Sequence, residues 1–167
     1  MILTGSEITN QVKKGKIIIS PFNDGQVNPN SYNYRLGNEM ICFDVKKDKK
    51  VSRKIKIPAK GFILSPHKVY LASTYEILGS TKYAMSLIGR SSIGRLGLFL
   101  QVSANLGHTG SIHKWTLELV STKKFKIYPN MIIGQITFWT NKGDISLYKE
   151  SYSKYNCPKK SKLEEEC

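Results

Sequence analysis

Leu87-Ile88-Gly89-Arg90-Ser91-Ser92-Ile93-Gly94-Arg95-Leu96-Gly97-Leu98 sets two arginines, two serines and three glycines within twelve residues. Glycines let backbone N–H groups close on an anion, and hydroxyls and guanidinium forks add further donors, so the run is suited to holding phosphate. A plainer reading of the same residues is a helix cap after a tight turn, with Arg90 and Arg95 as surface charges. A serine nucleophile would need the Gly-x-Ser-x-Gly elbow, and Gly89-Arg90-Ser91-Ser92-Ile93-Gly94 misses that spacing.

The second group with chemical potential is a carboxylate. In Trp115-Thr116-Leu117-Glu118-Leu119-Val120, strand alternation sends Trp115, Leu117 and Leu119 to one face and Thr116, Glu118 and Val120 to the other. An acid in so apolar a strand either pairs with an arginine or sits in a cleft with a task to perform. Zinc chemistry is not indicated. A zinc-dependent nucleobase deaminase needs His-x-Glu followed by Pro-Cys-x-x-Cys, and neither segment is present. His67, His108 and His113 are scattered, and no cysteine lies near the last two, so no metal site made of protein side chains is expected.

These groups must be positioned by a mainly β chain. Thr4-Gly5-Ser6-Glu7 has capping-box spacing, Ile8 and Val12 share a helical face, and Gly15 offers a stop, which predicts a short N-terminal helix. Beyond it, Gly, Pro and Asn punctuate apolar and β-branched stretches about every ten residues. Strands are expected over Lys16 to Ser20, Tyr32 to Leu36, Met40 to Val45, Gly61 to Leu64 and Val69 to Thr74. Further strands are expected over Ala84 to Ile88, Phe99 to Ala104, Trp115 to Ser121 and Ile132 to Trp139, with one internal helix from Ser91 to Leu96. One domain over 1–147 and a polar, lysine-rich tail over 148–167 follow.

At 167 residues the chain can bury a core without staples. Its three cysteines, Cys42, Cys157 and Cys167, form neither a disulfide framework nor a C-x-x-C pair, which fits a reducing cytoplasm. The start of the chain does not read as a signal peptide, and no apolar run nears the ~20 residues of a membrane span. Lysine and arginine number 26 against 12 acids, a net charge of +14 that attracts polyanions such as nucleoside triphosphates or nucleic acid. Much of the excess lies in 46–56 and around Lys159, Lys160 and Lys162; the first cluster has no interleaved aromatics and reads as a solvated basic loop.

Taken together, Gly89 to Leu98, then Trp115 to Leu119, then Pro129-Asn130-Met131-Ile132-Ile133-Gly134-Gln135-Ile136 resemble the dCTP deaminase branch of the trimeric dUTPase superfamily. Ser31 to Gly37 resembles that family's N-terminal strand and Ser153-Lys154-Tyr155 its tail, so the likeness covers nearly the whole chain. The Gly-Arg-Ser-Ser block marks the superfamily; the Thr-Leu-Glu strand is the deaminase-like part. The resemblance implies a distorted β-barrel or jelly-roll, a homotrimer with active sites shared between chains, and deamination without zinc, most simply dCTP to dUTP plus ammonia. By position, Glu118 resembles the general base, Ser91 and Arg95 the holders of water and base, and Ala104 the residue whose carbonyl orients the water. Arg90 and Ser92 match the phosphate side, Thr116 and Leu117 the positions that read the pyrimidine. Tyr148 and Lys154 match the tail over a triphosphate that carries Mg²⁺.

The sequence departs from that pattern in three places. His108 stands where an aspartate is usual, Asn33 where an aspartate is common, and the tail glutamine expected near Pro158 is missing. In dUTPases the aspartate matching His108 activates water, so the imidazole counts against the alternative of a dUTP pyrophosphohydrolase and bears on sugar recognition. A non-catalytic nucleotide- or nucleic-acid-binding module on the same fold is the third reading.

Overall fold

The Thr4 hydroxyl accepts the Glu7 N–H at 3.4 Å, and helix α1 (Gly5–Lys13) runs on from that cap as its spacing predicts. Ile8 is fully buried and Val12 packs on the core from the same face. Gly15, at φ 65°, takes the left-handed conformation that ends the helix, its N–H donating to the Val12 carbonyl. The computed structural model describes residues 1–46, 49–101, 104–149 and 156–161.

Beyond α1 the regular structure of the described chain is mostly strand: β1 (Ile17–Ser20), β2 (Val27–Asn28), β3 (Ser31–Lys46), β4 (Lys49–Lys56), β5 (Phe62–Leu64), β6 (Val69–Thr74) and β7 (Ile77–Ser80). Then come β8 (Tyr83–Gly89), the short helix α2 (Ser91–Gly94), β9 (Leu98–Leu100), β10 (Leu106–Gly107) and β11 (Ile112–His113). The series closes with β12 (Thr116–Ser121), β13 (Phe125–Ile127) and β14 (Ile132–Thr140). The largest sheet runs β10-β8-β14-β3-β6-β12-β9, with β2 and β4 paired to β3; β1-β7-β11 and β13-β5 form two smaller sheets. All registered pairs are antiparallel, and the large sheet curls around one core. Tyr32, Tyr34 and Leu36 of β3, Met85 and Leu87 of β8, Leu117 and Leu119 of β12, and Ile136 and Phe138 of β14 fill it. Each large apolar side chain buried there contributes on the order of 1.5–3 kcal/mol. The mainly β architecture with two helices is the one the sequence leads to.

Two expectations need correction. The basic stretch over 46–56 is not a loop: β4 pairs β3 from Glu39↔Lys56 to Lys46↔Lys49, forming one long hairpin. Because β4 pairs, among the described residues, with β3 alone, it is an edge strand, and charge on an edge strand is compatible with pairing on one side. The strand expected from Phe99 to Ala104 is shorter, since Gln101 takes φ 49° and leaves the ladder after Leu100; Val102 and Ser103 lie outside the described residues.

One buried ion pair braces the site-bearing half of the sheet. Glu76 is fully buried, and its carboxylate accepts from Arg35 Nε at 2.6 Å, the Arg35 N–H at 2.9 Å and Gln26 Nε2 at 3.3 Å. Arg35 in turn stacks its guanidinium on Tyr75 at 4.5 Å. Removing the cation leaves a buried carboxylate uncompensated, which costs about 3–5 kcal/mol. Arg35→Met, which keeps most of the packing, is expected to lower the melting temperature by about 6–20 °C at ~2–4 °C per kcal/mol, read by circular dichroism.

Candidate active site

Strand β12 carries Glu118 in the alternation the sequence predicts: Leu117 and Leu119 are fully buried, while Thr116, Glu118 and Val120 are half-exposed on the outer face. Across the sheet Glu118 stands opposite Leu71, and Leu71 opposite Ile41. The carboxylate opens into a cavity of about 480 Å³ that it shares with Phe43, Leu71, Ala104, Thr116 and Lys159. Among the described residues it takes part in no ion pair; the buried, arginine-paired acid of this fold is Glu76.

Gln101, which the sequence reading did not single out, holds this corner together. Its Oε1 accepts the Glu118 N–H at 2.7 Å, its own N–H donates to the Glu118 carbonyl at 3.3 Å, and its Nε2 donates to the Ala104 carbonyl at 3.3 Å. One side chain thus ties the strand under Glu118 to the loop bearing Ala104. The sequence signal was absent because the contact depends on a left-handed backbone at Gln101 that no pattern announces.

Ala104 and Thr116 also line a second cavity of about 330 Å³, walled by Trp115, His113, His108 and Tyr148. Trp115 is fixed there: its Nε1 donates to the Leu78 carbonyl at 2.9 Å and its ring lies 4.4 Å from that of His113. His108 and Tyr148, expected at the sugar and the phosphates, stack at 5.2 Å between centroids with 24° between planes. The Tyr148 N–H donates to the Thr109 carbonyl at 2.8 Å, so the segment after β14 docks on the His108 turn. His108 and Tyr148 further line a third cavity of about 650 Å³, together with Lys142 and Lys149. Glu118, Ala104, Thr116, His108 and Tyr148 are therefore strung along three adjoining cavities that share lining residues.

The Arg90 cluster lies elsewhere on the chain. Ser91, Ser92 and Arg95 are exposed on or just after α2, and Arg90 is the residue before it, without a side-chain capping bond. The Thr122 N–H donates to the Gly97 carbonyl, and Leu98 pairs with Ser121, so the segment following α2 meets the far end of β12. Three residues, about 10 Å of strand, separate that end from Glu118, and none of Arg90, Ser91, Ser92 or Arg95 lines the Glu118 cavity. Leu117 points into the core, leaving only its backbone for recognition. Lys154 lies outside the described residues. Among the described residues no group of three or more His, Cys, Asp or Glu side chains could hold a metal ion, and no helix is long and apolar enough to cross a membrane.

Comparison with known proteins decides the family. Residues 2–141 match the profile of the dCTP deaminase-like family. The chain belongs to that family. It is 44% identical over 153 residues to a protein of Hathewaya histolytica named "dCTP deaminase, dUMP-forming", covering 89% of this chain and 88% of that one. A protein of the same name from Cytophaga hutchinsonii is 41% identical over 161 residues, 93% of this chain and 92% of the relative. In fold, the chain is similar to the crystal structure of 2'-deoxycytidine 5'-triphosphate deaminase from Agrobacterium tumefaciens, with a TM-score of 0.69 at 19% identity. That likeness covers 84% of this chain and 48% of the other, so the present chain spans about half the length of that protein.

Proposed function

We propose that this member of the dCTP deaminase-like family hydrolyses the exocyclic C–N bond of the cytosine in dCTP, with Glu118 as general base. The observation that carries the reading is an acid on an otherwise apolar strand, unpaired among the described residues, opening into a cavity. Such a carboxylate takes a proton from water as its oxygen attacks C4 and returns it to the departing amino group, leaving a uracil nucleotide and ammonia. Gln101 keeps the Ala104 carbonyl and the Glu118 backbone in fixed relation, so the water and the base meet one geometry.

Thr116 and the Leu117 backbone are assigned to the pyrimidine, His108 to the sugar, and Arg90, Ser92, Tyr148 and Lys154 to the phosphates. Mg²⁺ would arrive on the phosphate oxygens, and the protein's part is to hold the phosphates themselves. Ser91 and Arg95 are assigned to the water and the base, contributed by a neighbouring copy in a homotrimer. Two features support that assembly. The four residues of the Arg90 cluster stand outside the Glu118 cavity of their own chain, and Phe99, Val120 and Val69 form an apolar row beside it. Phe99 is 45% and Val69 48% exposed, as expected of a surface that a second copy covers. The tail, 148–167, is assigned to closure over the nucleotide.

The relatives are named for dUMP, whereas the motifs alone led to dUTP as product. Those names favour a second reading in which the same molecule also loses pyrophosphate. The test is a panel of cytidine and deoxycytidine mono-, di- and triphosphates with Mg²⁺, ammonia and pyrophosphate being followed separately. Ammonia from dCTP is the expected result. Pyrophosphate from dUTP without ammonia from any cytosine nucleotide would select the pyrophosphohydrolase alternative, and salt-dependent nucleic-acid binding without turnover the binding module.

A further inference from the structure

We propose that the outer face of the β5–β13 sheet is a docking track for single-stranded DNA, working beside the nucleotide site rather than in place of it. The charge of the chain is not spread evenly. Residues 49–75 and 119–143 carry eleven of its 26 lysines and arginines and none of its 12 acids. The fold brings these two stretches together, since β5 pairs with β13 and β6 with β12. A surface built from them is positive without local compensation and attracts a polyanion.

On the β5–β13 sheet the charge is organised by strand alternation. Leu64 and Ile127 are fully buried in the core and pin the sheet, while Lys124, Lys126 and Tyr128 are exposed at alternate positions along the other face. Successive side chains on that face stand about 6.6 Å apart, twice the rise of a strand, so the two ammonium groups can meet neighbouring phosphates of an extended chain. Ile63 pairs opposite Lys126 and is 56% exposed. Lys60 completes the face: Gly61, at φ 87°, passes so close to β13 that a Cβ there would run into Lys126 Cε and Tyr128 Cε1. Among the described residues none of Lys60, Lys124 and Lys126 enters an ion pair.

The aromatic ring decides which polyanion fits. The basic stretch over 46–56 has none, whereas here Tyr128 is 42% exposed, with Lys126 Nζ 5.3 Å from its ring centre. The turn into β14 fixes its place: the Met131 N–H donates to the Tyr128 carbonyl at 3.4 Å and the Asn130 N–H to the Leu36 carbonyl at 2.9 Å. An aromatic ring among cations lets an unpaired base stack while its phosphates meet the lysines, and a duplex keeps its bases out of reach. Ile63 offers a ribose 2′-hydroxyl no partner, which favours a deoxy strand over RNA. None of these five residues lines the cavities around Glu118 and His108, so docking and catalysis are separable.

The test uses the full chain and a fluorescently labelled oligothymidylate of about 16 nucleotides, read by anisotropy at ~0.15 M salt, where charges more than about 8 Å apart are largely screened. Binding is expected, with log K falling against log salt at a slope of about −2 for three lysines. Lys124→Glu combined with Lys126→Glu should weaken it by about tenfold or more and leave ammonia release from dCTP as in wild type. Lys13→Glu combined with Lys14→Glu, on α1, makes the same change in net charge and should move the affinity by less than about twofold. Tyr128→Ser should cost about tenfold, while Tyr128→Phe, which keeps the ring, should bind like wild type. Oligouridylate and duplex DNA should bind more weakly than oligothymidylate. Equal losses in the two double variants would reduce the effect to net charge and overturn the proposal. So would wild-type binding by Tyr128→Ser, equal or tighter binding of oligouridylate or duplex, a fall in ammonia release in the Lys124 and Lys126 variant, or no binding at all.

Discussion

Glu118→Gln is expected to slow ammonia release from dCTP by about 10² to 10⁴, the range lost when a general base is removed. The substitution keeps the shape of the side chain and takes away only its capacity to accept a proton. Because Glu118 is half-exposed and forms no ion pair among the described residues, no partner charge is orphaned by the change. The hydrogen bonds between Gln101 and residue 118 run through the backbone of the latter, and survive. The melting temperature should therefore stay within about 2 °C of wild type, as for substitutions that break no buried network. Binding of dCTP, followed by calorimetry, should persist within about tenfold, since the lost function is proton transfer rather than contact. Near wild-type ammonia release from this variant would remove Glu118 from the chemistry.

What the sequence made legible is what local periodicity encodes. The Thr4 cap, the Ile8 and Val12 face and the Gly15 stop each act within a few residues, and α1 forms where they place it. The alternation in β12 sends Glu118 outward from a strand whose other face is core, so the candidate base could be read from one segment. Strand β4 was hidden because its lysines resemble solvated loop; only pairing with the distant half of β3 makes them a strand. Strand β7 was hidden by Gly79, which punctuates the pattern. The glycine is there because β11 crosses so closely that a Cβ would run into the Ser111 carbonyl and Ile112. In the site, Gln101 and the stack of His108 on Tyr148 join segments far apart in the chain, and no spacing rule reaches across such gaps.

The separation of Glu118 from the Arg90 cluster leads to the other large effect. If each site takes its base from one chain and its Ser91 and Arg95 from the next, Glu118→Gln and Arg95→Ala damage different halves of it. Each homo-oligomer should be nearly inactive. Mixed in equal amounts, unfolded and refolded together, they should regain activity. Random assembly gives roughly one site in four an intact Glu118 facing an intact Arg95, so about a quarter of wild-type turnover should return from almost none. The number also tests geometry, because a site built within one chain would contain one damaged group in every copy and recover nothing. Phe99→Lys adds an independent arm. A charge in the apolar row beside Glu118 should split the assembly in analytical ultracentrifugation and abolish complementation, while the β9 and β12 pairing beneath it stays in register. A trimer that persists in Phe99→Lys would move the subunit contact off this face, and failure to complement in the refolded mixture would return the whole site to a single chain.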